Sequence, residues 1–174
     1  MKFLEKDLEE IIYNTYLESP EKLSKKNLYM YGSIKRQLKI GNYGILDLLT
    51  ISKDYDYEFE SVWNKQKRLF EYKETLKPTL VLTVYELKKE KVGISAFLQC
   101  YGYIKGLKDW FRINKPNIKI KFRSVLIGRE IDKSGSFCYL PELIHDLDIY
   151  TYSYDIDGLN FKNEKDYSLT YKGF

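Results

Sequence analysis

The chain has 174 residues, enough for one domain with a substantial core and too few for two. Its 29 basic and 25 acidic residues leave a net charge of +4, which is compatible with a polyanionic partner without identifying one. No apolar stretch approaches the roughly 18 residues of a membrane span, and no secretion signal follows Met1, so the sequence predicts a cytoplasmic protein with reduced thiols and no membrane partner. One histidine excludes any metal site that needs two, and with only two cysteines it argues against structural zinc.

The first part of the chain predicts one helix followed by a hairpin. Apolar residues recur at helical spacing over 3–18, with acidic residues early and Pro20 just beyond. Strand-like runs over 33–40 and 45–52 flank the turn residues 41–44. These two runs therefore predict a β-hairpin.

The middle of the chain predicts an insertion and then a crossover. Over 53–77, charged residues surround a few aromatic ones, which predicts a solvated helix that Pro78 closes. Residues 79–88 are apolar on both faces for their first half, as a central strand should be. A helix over 94–113 and a strand over 118–127 follow, so the order predicts a parallel βαβ unit. The core stripe predicted for this helix is Ile94, Leu98, Tyr101, Ile104, Leu107 and Phe111.

The tail from residue 148, with an Asp157-Gly158 turn, predicts a late hairpin. No linker or internal repeat divides the chain, so we expect residues 1–174 to form a single domain. The predicted fold class is α/β, with a mixed sheet of about four central strands. Helices 3–18 and 94–113 flank this sheet, with an inserted helix near 58–74 and a C-terminal hairpin.

Three ionisable residues interrupt the predicted strands. Asp47 is a lone carboxylate in an otherwise apolar strand, and Glu86 and Lys88 share one face of the next strand. Charge at the end of an apolar strand is costly unless it is paired or binds an ion. Two acids and a lysine that converge there suit phosphodiester hydrolysis with Mg²⁺, in which the lysine orients a water or offsets phosphate charge.

These residues and a motif on the following helix resemble the PD-(D/E)XK nuclease superfamily. The matching segments are Ile45-Leu46-Asp47, Glu86-Leu87-Lys88 and the Gln-x-x-x-Tyr motif formed by Gln99 and Tyr103. The branch with that motif includes mismatch- and flap-cutting DNA endonucleases. Its first-helix glutamate matches Glu9 in Leu8-Glu9, with Glu10 a close second, and the stretch from Lys35 to Gly41 is also similar to that branch.

The resemblance implies a restriction-endonuclease-like domain with its core at about 3–130, an insertion at about 53–78 and an extension at about 131–174. It implies Asp47 and Glu86 as ligands of Mg²⁺ (or Mn²⁺) and Lys88 as the catalytic cation. Glu9 is then an accessory acid, and Gln99 and Tyr103 position the phosphate or the site. The implied function is a metal-dependent endonuclease whose partner is a nucleic acid, DNA in the first place.

Two features of the sequence depart from that pattern. Leu46 stands where the family has proline before the first aspartate, and 38 residues separate Asp47 from Glu86, which is longer than expected. The chain also has a second Glu-x-Lys, Glu71-Tyr72-Lys73, which falls in the predicted insertion. The sequence shows no separate targeting domain, so we expect substrate specificity to come from the insertion, the tail, a homodimer or a partner.

The residues leave other interpretations open. Asp47 also suits a salt-bridged strand, Glu86 and Lys88 a solvated strand end, and Gln99 with Tyr103 ordinary helix packing. The alternative functions are a non-catalytic protein that binds nucleic acid or acts in virion assembly, and a ribonuclease, because a metal site does not read the 2′-hydroxyl. Cys100 is interpreted as inert and His145 as incidental. The basic residues assigned to phosphate contacts are Lys35, Arg36, Lys39 and Arg129.

Overall fold

The computed structural model describes residues 4–134 and 137–165 as a mixed α/β fold with a six-stranded central sheet. The helices are α1 (Glu5–Glu18), α2 (Pro20–Ser24), α3 (Ile94–Asn114) and α4 (Leu140–Leu143). The strands are β1 (Ser33–Lys39), β2 (Ile45–Asn64), β3 (Leu69–Leu87), β4 (Lys91–Val92), β5 (Ile120–Gly128), β6 (Glu130–Ile131), β7 (Leu147–Asp155) and β8 (Gly158–Asn163). None of the helices in these ranges combines the length and the apolar character that a membrane crossing requires.

The central sheet is mostly antiparallel and has the order β1-β2-β3-β5-β7-β8. The pairs β1–β2, β2–β3 and β7–β8 are antiparallel, whereas β3–β5 and β5–β7 are parallel. The predicted first hairpin, the β3-α3-β5 crossover and the C-terminal hairpin are thereby confirmed. The short strands β4 and β6 form a separate parallel pair.

Helices cover the sheet through two apolar layers. The layer with α1 contains, among others, Leu8, Ile12, Tyr16, Leu48, Tyr85, Leu87, Val125 and Ile127. The layer with α3 contains, among others, Leu46, Leu49, Leu82, Val84, Cys100, Tyr103, Ile104, Leu107 and Leu126. Burial of both faces explains why the central strands are nearly continuous apolar runs.

The buried face of helix α3 agrees with the predicted stripe in its second half but not in its first. Ile104 and Leu107 are buried as predicted, whereas Ile94 and Leu98 are exposed. The small residues Ala96, Cys100 and Gly106 are also buried. A Cβ atom added to Gly106 would lie 2.5 Å from Ile40 Cγ2, so the helix packs too closely on the turn after β1 for a larger residue there.

The predicted inserted helix is wrong, because this segment is a two-stranded antiparallel ribbon. β2 and β3 stay paired to the tip, where Trp63 lies opposite Phe70. β1 leaves the sheet at the level of Ile51 and β5 joins it at Leu80, so neither strand has an outer neighbour beyond those points in the described parts of the chain. We call residues 54–79 the arm.

Period-two alternation explains why the arm is a ribbon and not a helix. From Asp54 to Glu60, acidic and aromatic residues alternate strictly, so one type faces each side of a strand. At the tip, Asn64 Oδ1 accepts hydrogen bonds from the Gln66 and Lys67 amides at 3.0 and 3.1 Å. Arg68 completes the turn with a φ of 54°. The density of charge, which suggested a solvated helix, belongs to one face of the ribbon.

Candidate active site

The predicted site residues meet at the end of the sheet where β2 begins and β3 ends. The backbone of β2 is irregular there, at Asp47. Leu46 packs on the α3 side and Leu48 on the α1 side, although residues two apart in a regular strand share a face. The β1–β2 ladder pairs the residues on either side of Gln37 and Asp47 but not these two, and Gln37 has a φ of 49°. The Asp47 carboxylate thus leaves the sheet surface and accepts the Leu87 amide at 2.8 Å.

Glu86 is the most deeply buried acid of the site, with 1% of its surface exposed. Its Oε1 accepts a hydrogen bond from Lys88 Nζ at 2.7 Å. Its Oε2 is buried and, within the described residues, has no hydrogen-bond partner. Burial, together with the nearby negative charge of Asp47, raises the pKa of Glu86 to about 7. An orphaned carboxylate oxygen of this kind requires an explanation such as a bound ion.

Lys88 is a charged group held among acids. Burial by itself lowers the pKa of the Lys88 ammonium, but the hydrogen bond to Glu86 and the charges of Glu5 and Asp47 raise it above the ordinary value. The ammonium therefore stays protonated at neutral pH and does not serve as a base. It is suited to offset negative charge on a neighbouring group.

Gln99 and Tyr103 form a hydrogen-bonded connection between Lys88 and the start of β2. Lys88 Nζ donates to Gln99 Oε1 at 3.4 Å, and Gln99 Nε2 donates to the Tyr103 hydroxyl at 2.7 Å. The hydroxyl in turn donates to the Ile45 carbonyl at 2.8 Å. Tyr103 is 2% exposed, so its phenol braces the backbone next to Asp47. Gln99 is exposed and borders the site.

The N-terminal half of α1 contributes two acids. Glu9 is buried and accepts a hydrogen bond from the Gln37 side-chain amide, whereas Glu10 is exposed. Glu5 was not identified from the sequence, but its Oε1 lies 3.9 Å from Lys88 Nζ. Burial raises the pKa of Asp47 to about 6, and the charges of Glu5 and Glu9 add to this increase. The four-residue spacing of Glu5 and Glu9 on one helical face was the available signal.

Basic side chains border an open pocket of about 610 Å³ at this end of the sheet. Its lining residues are Glu5, Lys6, Glu9, Arg36, Gln37 and Asp47. The Arg36 guanidinium lies 4.9 Å from the centre of the Tyr13 ring, which holds the cation at the pocket. Of the other predicted phosphate contacts, Lys39 and Arg129 line different pockets.

Cys100 and His145 make none of the hydrogen bonds described for the site. Burial raises the pKa of the Cys100 thiol, whose sulfur donates to the Val84 carbonyl at 3.8 Å. A buried, protonated thiol is chemically inert. The side chain of His145 is 99% exposed and lies beside Asp146.

The donor set fits a hard divalent cation with few protein ligands. Within residues 4–134 and 137–165, no three acidic, histidine or cysteine side chains form a ready-made metal cage. Mg²⁺ ordinarily binds through one or two carboxylates and keeps waters or substrate oxygens as its other ligands. Asp47 and the orphaned oxygen of Glu86 provide that kind of set.

Comparison of the chain with protein-family models, with curated proteins and with solved structures finds no match. The function is therefore argued from the geometry of the site.

Proposed function

We propose that this protein is a metal-dependent nuclease that hydrolyses phosphodiester bonds, with DNA as the first candidate substrate. In this proposal the mixed α/β domain is restriction-endonuclease-like, as the PD-(D/E)XK resemblance implies. The observation that carries it is the buried Oε2 of Glu86, which has no partner in the described part of the chain although it lies next to the charged Lys88. A structural ion pair alone accounts poorly for that oxygen, because burying an unsatisfied carboxylate oxygen destabilises the fold.

Asp47 and Glu86 are the residues that would hold Mg²⁺ or Mn²⁺. Such an ion lowers the pKa of a bound water and polarises a phosphoryl oxygen. Burial and the mutual repulsion of the acids raise the pKa values of Asp47 and Glu86 to about 6 and about 7, even though the Lys88 ammonium is nearby. A divalent cation would lower both values by favouring the charged forms.

The remaining side chains bind and orient the substrate. Lys88 places a fixed positive charge where the phosphate becomes more negative, and Gln99 holds this ammonium in position. Arg36 at the pocket is placed to bind a backbone phosphate. Glu9 has its carboxylate oriented by Gln37 and acts as the accessory acid near Asp47.

The test is a cleavage assay on single-stranded, duplex, flap and mismatched DNA, and on RNA, with and without Mg²⁺ or Mn²⁺. We expect metal-dependent cleavage that Glu86→Gln abolishes. Glu90→Gln is the matched control, because Glu90 is an exposed acid just after the same strand and pairs with the neighbouring Lys89. Absence of cleavage of every substrate by the wild-type protein would refute the proposal and leave the non-catalytic role.

Calorimetric titration with Mg²⁺ tests the metal separately from activity. We expect wild-type protein to bind the ion and both Asp47→Asn and Glu86→Gln to bind it at least about tenfold more weakly, because each removes one charged ligand. Equal affinity in all three proteins would exclude these residues as ligands.

A further inference from the structure

One face of the arm is mostly aromatic. Its rings come from alternate positions of β2 and from the residues that lie opposite them on β3. These rings belong to Tyr55, Tyr57, Phe59, Trp63, Phe70 and Tyr72. Their exposed fractions run from 48% for Trp63 to 79% for Tyr72. An exposed apolar surface of this extent marks a binding site.

On the opposite face of the arm, acidic side chains form ion pairs with lysines. Asp56 is within ion-pair distance of Lys119 and Lys121, and Glu58 lies 2.6 Å from Lys77 and 3.1 Å from Lys119. Most acidic side chains of the arm thus lie on this face, beside lysines of β3 and β5. Glu74, next to Phe59, is an acid on the aromatic face.

The tip of the arm is basic. The turn contains Lys65, Lys67 and Arg68 within four residues, and Lys67 is bonded to Glu71 at 2.8 Å. Because most acids of the arm are paired on the other face, positive charge dominates at the tip, where the aromatic face ends. Exposed rings beside a basic group complement a nucleic-acid strand, which offers base faces and phosphates together.

The spacing of the aromatic rings along the strand is compatible with the spacing of stacked nucleotide bases. Residues two apart in a strand are separated by roughly 6.6 Å, which is about twice the 3.4 Å step between stacked nucleotides. Tyr55, Tyr57 and Phe59 therefore leave room for one base between successive rings. At the tip, the rings of Trp63 and Phe70 are in edge-on contact with their centres 5.0 Å apart.

We propose that the aromatic face of the arm, with its basic tip, binds single-stranded nucleic acid that extends from the candidate active site. The inference rests on the proposed nuclease function and specifies its substrate as a strand with unpaired bases. From Phe70 to Glu86 the strand β3 spans roughly 50 Å at about 3.3 Å per residue. Between Phe70 and Glu86, on the α3 side of the sheet, lies an open groove whose lining includes Lys39, Tyr43 and Trp110.

The test measures binding and cleavage separately. Binding of labelled oligodeoxythymidine and oligouridine is followed by fluorescence anisotropy in EDTA, with one length that covers only the site and one long enough to reach the arm. We expect Tyr57→Thr and Phe59→Thr each to weaken binding of the long strand at least about fivefold, as the loss of one stacked base predicts. Comparison of the deoxyribose oligomer with the ribose oligomer shows whether the arm prefers DNA or RNA. The short strand should be bound and cleaved as by the wild type.

Val62→Thr is the matched control, because Val62 is 48% exposed on the opposite face of the same strand. Threonine retains the strand propensity at all three positions. Lys65→Gln should reduce the slope of log affinity against log salt by about 0.7, the value for one phosphate on a single strand. Glu74→Gln should tighten binding, because it removes negative charge from the aromatic face.

Three outcomes would overturn the inference. One is unchanged binding by Tyr57→Thr and Phe59→Thr, and another is an equal loss in Val62→Thr. The third is a wild-type dimer in light scattering that Phe59→Thr converts to a monomer, since the arm would then be an interface between copies. The proposed nuclease function is judged by cleavage of the short strand, so its failure is distinguished from a failure of strand binding at the arm.

Discussion

Glu86 and Lys88 form a one-sided ion pair: the ammonium lies 2.7 Å from Oε1, while Oε2 is buried and has no partner among the described residues. If Lys88 only neutralised Glu86, the second oxygen would stay buried without a partner, which would lower the stability of the fold. We propose that this second oxygen is the one that would bind a metal cation.

Lys88→Ala should lower the cleavage rate by about 100-fold or more, the loss seen when one preorganised charge donor is removed from a transition state. Binding of uncleaved DNA should change little, because the residue acts on the reacting phosphate and not on the strand as a whole. Single-turnover kinetics and anisotropy measure the two effects. Lys89→Ala, at the neighbouring, partly buried lysine, is the control, and equal loss of activity in both variants would contradict the role given to Lys88.

The metal-free protein should lose stability as pH rises from about 4.5 to about 7. The folded chain keeps a proton on Glu86, whose pKa is raised from 4.5 to about 7, when the unfolded chain has already released it. The folded state then binds more protons than the unfolded state, so the free energy of unfolding decreases with pH in that window. Asp47, with its pKa raised to about 6, acts in the same direction.

Urea unfolding at several pH values measures this dependence in wild type and in Glu86→Gln. The glutamine variant should show a flatter profile, because its side chain does not ionise. Added Mg²⁺ should flatten the wild-type profile as well, since a bound cation stabilises the ionised carboxylates. A profile unchanged by Glu86→Gln would show that this residue does not titrate as described.

Gln99→Ala should reduce activity about 10- to 100-fold with little loss of stability. The exposed amide fixes Lys88 and lies outside the core, so its hydrogen bonds contribute only about 1 kcal/mol to folding. Tyr103→Phe removes the bond to Ile45 and should lower the free energy of unfolding by roughly 0.5–1.5 kcal/mol. Thermal unfolding and cleavage rates separate the two residues. Melting of Gln99→Ala at full specific activity would mean that the residue is only a packing element.

Gly44→Ala should destabilise the protein by about 1–3 kcal/mol, because φ is 115° there and the added methyl group would lie 3.2 Å from the Tyr103 ring. Gly41→Ala is the matched control in the same turn: its φ of 49° is left-handed, but a Cβ meets no atom within 4 Å. Chemical denaturation compares the two variants. A larger loss in Gly41→Ala would contradict the contact between this turn and Tyr103.

The sequence alone was sufficient for the elements whose pattern is local. Helical spacing predicted α1 and α3, and apolar runs predicted the central strands and both hairpins. Strand periodicity also placed Glu86 and Lys88 on one face. These inferences depend only on neighbours along the chain. The family resemblance, and not a local pattern, indicated that Asp47, Glu86 and Gln99 lie together, as their contacts show, and the roles given to them stay predictions.

Tertiary contacts decided the rest. The turn at Ile40 packs against α3 so closely that Gly106 has no room for a larger residue, and the packing of α1 over the sheet brought Glu5 within 3.9 Å of Lys88. The arm was mistaken for a helix because its faces contact no core, so burial provided no evidence for the period of its pattern. Pairing between β2 and β3 decided the conformation of the arm. Hydrogen bonds between distant segments favour a ribbon where local propensity favours neither helix nor strand.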